Sequence, residues 1–417
     1  MRRGRNLMDA NRDVYPYAIE LLEQFPILVI LGVRQCGKTT LAKQLAPTWQ
    51  YFDLENTNDR MLISRDPVFF LENSDQIIID EAQEYPELFN ILRGIVDKDR
   101  ARKGRFILTG SSNPKLLTKV SESLAGRSAT IELGTLKMNE VLKKPFSPFY
   151  NIFQQRLNKE SLDFEGKQPA ITHKEIQNNW FYGGYPEPRL ANNISFYRQW
   201  MQSYYDAYIH RDIRSLFPRL DNLSYQRFLM MLSHLSGNIL NKSDIGRSLE
   251  VSEKSIREYL TIADGTYLWR QLPSYEKSKV KTIVKLPRGH FRDNGLLHYL
   301  LKIDSPETLY QHPILGRSFE AFVIEEILKG LNSSGVTNWE ASYYRTRSGV
   351  EVDLILEGFF GTLPIEIKHG SQVKTKQLKN LEDFVEMHQL PFGLLINQAI
   401  TARWLTPRIF QLPVGFL

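Results

Sequence analysis

Short apolar runs alternate with amphipathic stretches over the first third of the chain. Ile27–Leu31, Trp49–Leu54, Gln76–Asp80, Arg105–Thr109 and Ala129–Leu133 each read as a strand bounded by polar or turn-forming residues. Leu41, Ala42 and Leu45 follow the first strand at helical spacing, and a second helix is predicted over roughly Glu87–Lys98. Strands alternating with helices imply a parallel sheet with its site at the carboxyl ends. Periodicity is lost over 140–180, where polar residues and prolines suggest a boundary and an insertion. From Ser195 to about His234 it returns at helical spacing, so Tyr204, Tyr205 and Tyr208 are expected as helix packing rather than a stacking platform for bases.

The next pattern is shorter. Ile245 and Leu249 fit one helix, Glu250-Val251 a turn, and Ser252 a cap opening a helix over Glu253–Ala263. That is a helix-turn-helix layout, whose second helix can enter a major groove. Lys254 and Arg257 are its cations, but Glu253 and Glu258 oppose them, so a structural role and a DNA-reading role both stay open. Lys277, Lys279 and Lys281 then alternate, which on a strand puts three ammonium groups on one face; Lys285, Arg288, His290 and Arg292 follow. Such a face could bind phosphates or keep an edge strand soluble.

The last third reads as a helix over Phe319–Leu328, then strands at Tyr343–Thr346, Val350–Leu356 and Leu363–Lys368. Its polar residues fall as Glu320, then Asp353, then Glu366-x-Lys368. Glu366 and Lys368 are two apart, so on a strand they share a face and can both meet Asp353 on a neighbouring strand. Two carboxylates make a hard oxygen site for Mg²⁺, with Mn²⁺ as the alternative, and a lysine beside them could offset phosphate charge.

The most specific chemistry lies where the first strand ends. Gly32-Val33-Arg34-Gln35-Cys36-Gly37-Lys38-Thr39-Thr40 fits G-x-x-x-x-G-K-T in the order strand, glycine-rich loop, helix. Backbone N–H groups there can curl around a phosphate while the helix start adds its positive dipole end. Lys38 would reach the β- and γ-phosphates of ATP, and the Thr39 hydroxyl would hold Mg²⁺. Asp80, closing its strand, is placed to bind the same ion, and Glu81 to polarise the attacking water. Ser111, Ser112 and Asn113 follow the fourth strand, where Ser111 or Asn113 could sense the γ-phosphate or simply start a turn. Arg127, just before the fifth strand, could reach a neighbouring subunit's nucleotide or be a surface charge.

Composition narrows the setting. At 417 residues, two to four domains are expected. The formal net charge of +6 mildly favours a polyanionic partner. Cys36 is the single cysteine, which excludes an internal disulfide and a cysteine-based zinc cluster. The basic start, Met1-Arg2-Arg3, is followed by polar residues rather than an apolar run, so no signal peptide is expected. No run is long enough to span a bilayer, and the expectation is a cytoplasmic protein without membrane contact.

In their order and spacing, GVRQCGKTT, IIIDEAQ, LTGSSN, LAGR, the Gly183–Glu187 run GGYPE and Arg211-Asp212-Ile213 resemble a bacterial and archaeal group of AAA-type ATPases. The resemblance implies an α/β fold. A five-stranded AAA-like core would span 1–140, an insertion and helical lid 141–236, a winged helix 237–300, and a PD-(D/E)xK nuclease-like domain 301–417. Glu320, Asp353, Glu366 and Lys368 would take the nuclease motif's catalytic positions, although Val352 stands where that motif usually has proline. The expected activity is ATP hydrolysis coupled to binding and metal-dependent cleavage of nucleic acid, DNA first, with a homo-oligomer left open. An ATP-switched nucleic-acid-binding module with a silent nuclease fold is the alternative.

Overall fold

The computed structural model describes residues 11–111, 122–191, 193–275, 286–346, 350–372 and 375–417. The first sheet is parallel and holds β1 (Ile27–Gly32), β2 (Gln50–Asp53), β3 (Ile77–Asp80), β4 (Phe106–Ser111) and β5 (Ser128–Leu133), in the order β2-β3-β4-β1-β5. Every residue of β1 and β3 is buried, as uniform apolar runs demand of a sheet covered on both faces. β1 lies between β4 and β5, with Gly32 level with Ser111 and Leu133. The loop after β1 therefore leaves the middle of the sheet's carboxyl edge.

Within 140–180, expected as a boundary and an insertion, lies a buried strap. Phe149, Tyr150 and Phe153 are all buried, on the 3₁₀ segment Pro148–Gln154. The Tyr150 hydroxyl donates to the Glu326 carbonyl at 2.9 Å, and Phe153 meets Phe360 edge-on at 5.0 Å. An aromatic cluster anchored this way has no 2- or 3.6-residue period, which is why the pattern missed it.

Helix Ile194–Ala207 and the π-helical turn Tyr208–Ile213 pack over the first sheet's carboxyl end. Tyr204 and Tyr208 are buried there and Tyr204 stacks on Trp200, so they serve packing as expected. Helix Asn222–Leu235 instead joins the unit that follows, with Tyr225 edge-on and Phe228 tilted against Tyr259. That unit continues with β6 (Asn238–Ile239), helices Lys242–Leu249 and Glu253–Gly265, β7 (Trp269–Leu272) and β8 (Arg288–Phe291), forming an antiparallel sheet β6-β8-β7.

Helix Leu315–Ser333 then runs through the interior and leads into the third sheet. This sheet contains β9 (Glu340–Arg345), β10 (Glu351–Gly358), β11 (Gly361–Lys368), β12 (Gly393–Asn397), β13 (Arg403–Trp404) and β14 (Ile409–Pro413). Its order is β13-β14-β12-β11-β10-β9, with β10 and β11 an antiparallel hairpin and β12 parallel to β11 through helix Thr375–Met387. One hydrophobic core runs from a face of the first sheet through the helices into the third.

Candidate functional site

Two positive-φ residues bend the loop after β1: Gln35 at 60° and Gly37 at 98°. At Gly37 the left-handed backbone suits glycine, and it opens the helix Lys38–Leu45. Lys38 is buried and donates to the loop's own carbonyls, Gly32 at 3.3 Å and Val33 at 3.2 Å. Thr39 Oγ1 donates to Asp80 Oδ2 at 2.7 Å. Asp80 also accepts from the Tyr51 hydroxyl at 2.8 Å and from Thr109. Burial, and then the bond to Asp80, push the Tyr51 phenol well above its usual range, so it stays a donor. Glu81 takes a left-handed turn with φ of 51°, and its carboxylate accepts from Gln83 Nε2 at 2.6 Å.

Lys38, Thr39 and Glu81 border a cleft of about 590 Å³ that Arg12, Leu136 and Pro186 also line. Arg12 straps the loop from outside, donating to the carbonyls of Cys36 at 2.9 Å and Gly134 at 2.8 Å. Arg34 pairs with Asp212 on the π-helical turn, and with Glu55 at 3.5 Å. Burial lifts the Asp212 carboxyl, with Arg34 pulling the other way. The Gly183–Glu187 run links helix His173–Tyr182 to helix Pro186–Ala191 beside this cleft. The Gly184 carbonyl accepts from Leu136 N at 2.7 Å, and Gly184 N donates to Asp293 Oδ2 at 2.8 Å. A hydroxyl, a carboxylate and a lysine at the start of a helix are the donors that a triphosphate with Mg²⁺ requires, so the residues present fit that group.

Arg127 lies elsewhere. It is bound to Asp97 through Nε and a terminal nitrogen, both at 2.8 Å, and Ser128 beside it is level with Ile27, at the amino edge of the sheet. The structure does not bring it to this chain's own loop. Ser111 closes β4, whereas Asn113 lies outside the described residues. Tyr51, Thr109, Arg12 and Asp212 were not among the residues expected at the site. Thr109 carried a signal as the last apolar-run residue before a glycine-serine turn, and Asp212 as part of the Arg211-Asp212-Ile213 run.

A second constellation sits on the third sheet. Leu354 is level with Ile365, which sets Asp353 opposite Glu366 on β10 and β11. Lys368 Nζ lies 2.6 Å from Glu366 Oε1 and 3.5 Å from Asp353 Oδ2. Asp353 Oδ2 also accepts from Ile367 N at 2.9 Å, while Glu366 Oε2 is buried without a partner. Burial, then Asp353, push Glu366 up to about 8; the same two causes push Glu320 up to about 7. Burial works against charge on Asp353 as well, but Lys368 and Arg288 outweigh it and hold the acid below its ordinary range.

Arg288 was expected in a basic run that could bind phosphates or keep an edge strand soluble, and the structure instead buries it. From β8 it reaches Glu320, Asp353 at 3.0 Å and Glu351 at 3.5 Å. His290 faces Glu325 at 2.9 Å, and Arg292 pairs with Glu132. The alternation that would line cations along a surface here points them at buried and half-buried acids on other elements. Lys277, Lys279 and Lys281 lie outside the described residues. Lys254 is exposed on helix Glu253–Gly265, where Arg257 is bound to Glu253 through Nε at 3.1 Å.

Asp353 and Glu366, with the orphaned Glu366 oxygen, suit a hard cation as two of its ligands. Glu320 lines the same cleft of about 270 Å³, with Arg288 between it and Asp353. Among the described residues no three acidic, histidine or cysteine side chains stand close enough together to hold a metal ion.

Three family descriptions match the chain: an AAA domain over 24–142, a domain of unknown function (DUF8612) over 173–307, and another (DUF4143) over 315–415. The uncharacterized protein Rv2008c of Mycobacterium tuberculosis is 31% identical over 364 residues, covering 86% of this chain and 74% of its own. The chain belongs to the Rv2008c family. The uncharacterized protein MJ1544 of Methanocaldococcus jannaschii is 24% identical, over 84% of this chain and 75% of its own. Among solved structures, the Walker-type ATPase PABY2304 of Pyrococcus abyssi aligns with 71% of this chain and 99% of its own, at 15% identity and a TM-score of 0.45. With its AAA domain, this member of the Rv2008c family is an α/β P-loop ATPase. No helix among its described residues is long and apolar enough to cross a membrane.

Proposed function

We propose that this member of the Rv2008c family couples ATP hydrolysis to the binding and cleavage of nucleic acid, DNA in the first place. The observation that carries this reading is the convergence of Asp353, Glu366 and Lys368 on one face of the β10–β11 hairpin, with Lys368 Nζ 2.6 Å from Glu366. That set matches the Asp, Glu and Lys of the PD-(D/E)xK arrangement, with Val352 in place of its proline. A divalent cation held by Asp353 and Glu366 would draw charge from the phosphodiester oxygens. Lys368 would offset the charge that builds on phosphorus as water attacks and the leaving oxygen departs.

At the ATPase site, Lys38 would contact the β- and γ-phosphates, Thr39 and Asp80 would hold Mg²⁺, and Glu81 would orient the attacking water. Arg34, Gln35, Cys36, Gly37 and Thr40 would line the phosphates, and Arg127 would act on a neighbour's nucleotide in a homo-oligomer. The order helix, strand, helix, helix, strand, strand over 222–291 supports a winged helix. Lys254 and Arg257 would be its phosphate contacts, with Lys277, Lys279 and Lys281 on its wing. The division into 1–140, 141–236, 237–300 and 301–417 belongs to the same proposal, with helix Asn222–Leu235 packing on the winged-helix side.

The test is a panel of single-stranded, duplex and branched DNA and RNA, with Mg²⁺ or Mn²⁺, with and without ATP. Metal-dependent cutting that disappears in Lys368→Ala is the expected result. Binding without cutting would favour the second reading, an ATP-switched nucleic-acid-binding module with a silent nuclease fold. The seat of Arg288 among the acids speaks for that reading.

A further inference from the structure

The cation already seated among the nuclease-like acids comes from another part of the chain. Arg288 belongs to β8, in the sheet β6-β8-β7, and is 5% exposed. One terminal nitrogen donates to Asp353 Oδ1 at 3.0 Å and lies 3.5 Å from Glu351 Oε1. The other terminal nitrogen meets Glu320 Oε2, and Nε donates to the Gly237 carbonyl at 2.8 Å. The guanidinium thus takes one acid from helix Leu315–Ser333 and two from β10. Asp353 has no oxygen left: Oδ1 holds Arg288, and Oδ2 holds Ile367 N and Lys368. Only Glu366 Oε2 remains buried and unmatched.

We propose that Asp353, Glu366 and Glu320 form a single cation site for which Arg288 and a divalent metal compete. The inference rests on the nuclease reading, because it takes these acids to be metal ligands. It explains why the three acids do not form a cluster in this conformation: Glu320 and Asp353 are held on either side of a guanidinium. A doubly charged ion and a guanidinium sharing Asp353 would repel strongly in a buried site, so metal entry requires Arg288 to leave. Arg288 is then an internal inhibitor rather than a catalytic residue.

The strand that carries Arg288 is tied to the ATPase sheet. Arg292, at its far end, pairs with Glu132 of β5, and Arg270 of β7 joins Glu325 at 2.5 Å and Glu132 at 3.5 Å. Two residues beyond Glu132, the Gly134 carbonyl accepts from Arg12, which also holds the Cys36 carbonyl of the phosphate loop. Ion pairs and hydrogen bonds, connected through the backbone of 132–134 and 288–292, therefore join the nucleotide loop to the inhibitor. Such a chain provides a physical route for displacement of β8.

The experiment is calorimetric titration of the nucleotide-free full chain with Mn²⁺, alongside thermal melting with and without the metal. Arg288→Gln should bind Mn²⁺ at least about tenfold tighter than wild type, and Mn²⁺ should raise its melting temperature more. The gain should vanish when Asp353→Asn is added, which ties it to this site. Because removing Arg288 leaves buried acids unpaired, Glu351→Gln serves as the milder variant. It loosens the arginine without touching it or a proposed ligand, and should tighten Mn²⁺ by about threefold. If Mn²⁺ binds through Asp353 with equal affinity in wild type and both variants, the competition is refuted while the nuclease reading stands. If no variant binds Mn²⁺ at millimolar concentration, the metal-ligand reading fails and this inference falls with it.

Discussion

Thr39 and Asp80 are joined by a 2.7 Å hydrogen bond across the carboxyl end of the parallel sheet. Lys38 lies beside them, turned onto the carbonyls of Gly32 and Val33. A triphosphate would offer the ammonium group far better partners than two carbonyls. Lys38→Ala should therefore abolish ATP binding. Glu81→Gln should leave binding intact and remove turnover, because the metal donors survive while the water loses its acceptor. Equilibrium binding of a fluorescent nucleotide beside a phosphate-release assay separates the two. Wild-type hydrolysis by Glu81→Gln would show that another group orients the water.

Arg127 is held by Asp97 at the sheet's amino edge, far from its own chain's phosphate loop. Any part in hydrolysis has to be played on a neighbour. Arg127→Ala should slow hydrolysis while leaving nucleotide affinity nearly unchanged, and wild-type activity per subunit should rise with concentration. Specific activity that stays constant over dilution of a monomer would count decisively against a role in trans.

The turn at Gly184 depends on the absence of a side chain. A Cβ on Gly184 would run into the backbone of Leu136, whose N–H bonds the Gly184 carbonyl at 2.7 Å. Because the obstacle is backbone, it cannot rotate away. Gly184→Ala should destabilise the fold by about 3 kcal/mol and weaken ATP binding together. Denaturant melts of the two proteins check this, and an unchanged midpoint would mean the turn has more room than the structure gives it.

These features differ in how far the sequence discloses them. β1 and β3 are legible because each is a uniform apolar run buried on both faces, ending in residues with distinctive chemistry. Their order in the sheet is not, since strand order is fixed by crossovers that leave no local period. Asp353, Glu366 and Lys368 are legible through strand alternation, which needs only adjacent strands. Arg288 is not: its partners Glu320 and Asp353 are 32 and 65 residues away, and an isolated pattern of alternating cations looks the same whether it faces water or acid. The strap at Phe149–Phe153 is hidden for a related reason, because its burial is dictated by what it meets.

His298 gives the fold a pH dependence. It is fully buried, with Nδ1 2.9 Å from the Phe181 carbonyl and Nε2 2.7 Å from Ser318 Oγ. Burial lowers its pKa to about 4 from an ordinary value of 6.5. The unfolded chain thus takes up a proton near pH 6.5 that the folded chain refuses until about 4. Stability is retained above that window and lost as pH falls through it, by about 3 kcal/mol. Denaturation at pH 7, 5.5 and 4.5 should show the loss, and His298→Gln should flatten it while being less stable at pH 7. Equal slopes for the two proteins would assign the pH dependence to other groups.

Asp353 and Lys368 should fail differently when altered, although they lie 3.5 Å apart. Asp353→Asn or Glu366→Gln replaces a charged ligand by a neutral one, so metal affinity and cleavage should fall together. An ammonium group has no lone pair to offer a metal, so Lys368 cannot be a ligand. Lys368→Ala also removes a positive charge 2.6 Å from Glu366. Metal affinity should therefore hold or rise by about threefold, while cleavage is lost because nothing offsets the phosphate's developing charge. Metal titration and a cleavage assay on the same preparations distinguish the two patterns. Should Lys368→Ala lose the metal as fully as Asp353→Asn does, the lysine is holding the acids in place rather than serving the phosphate.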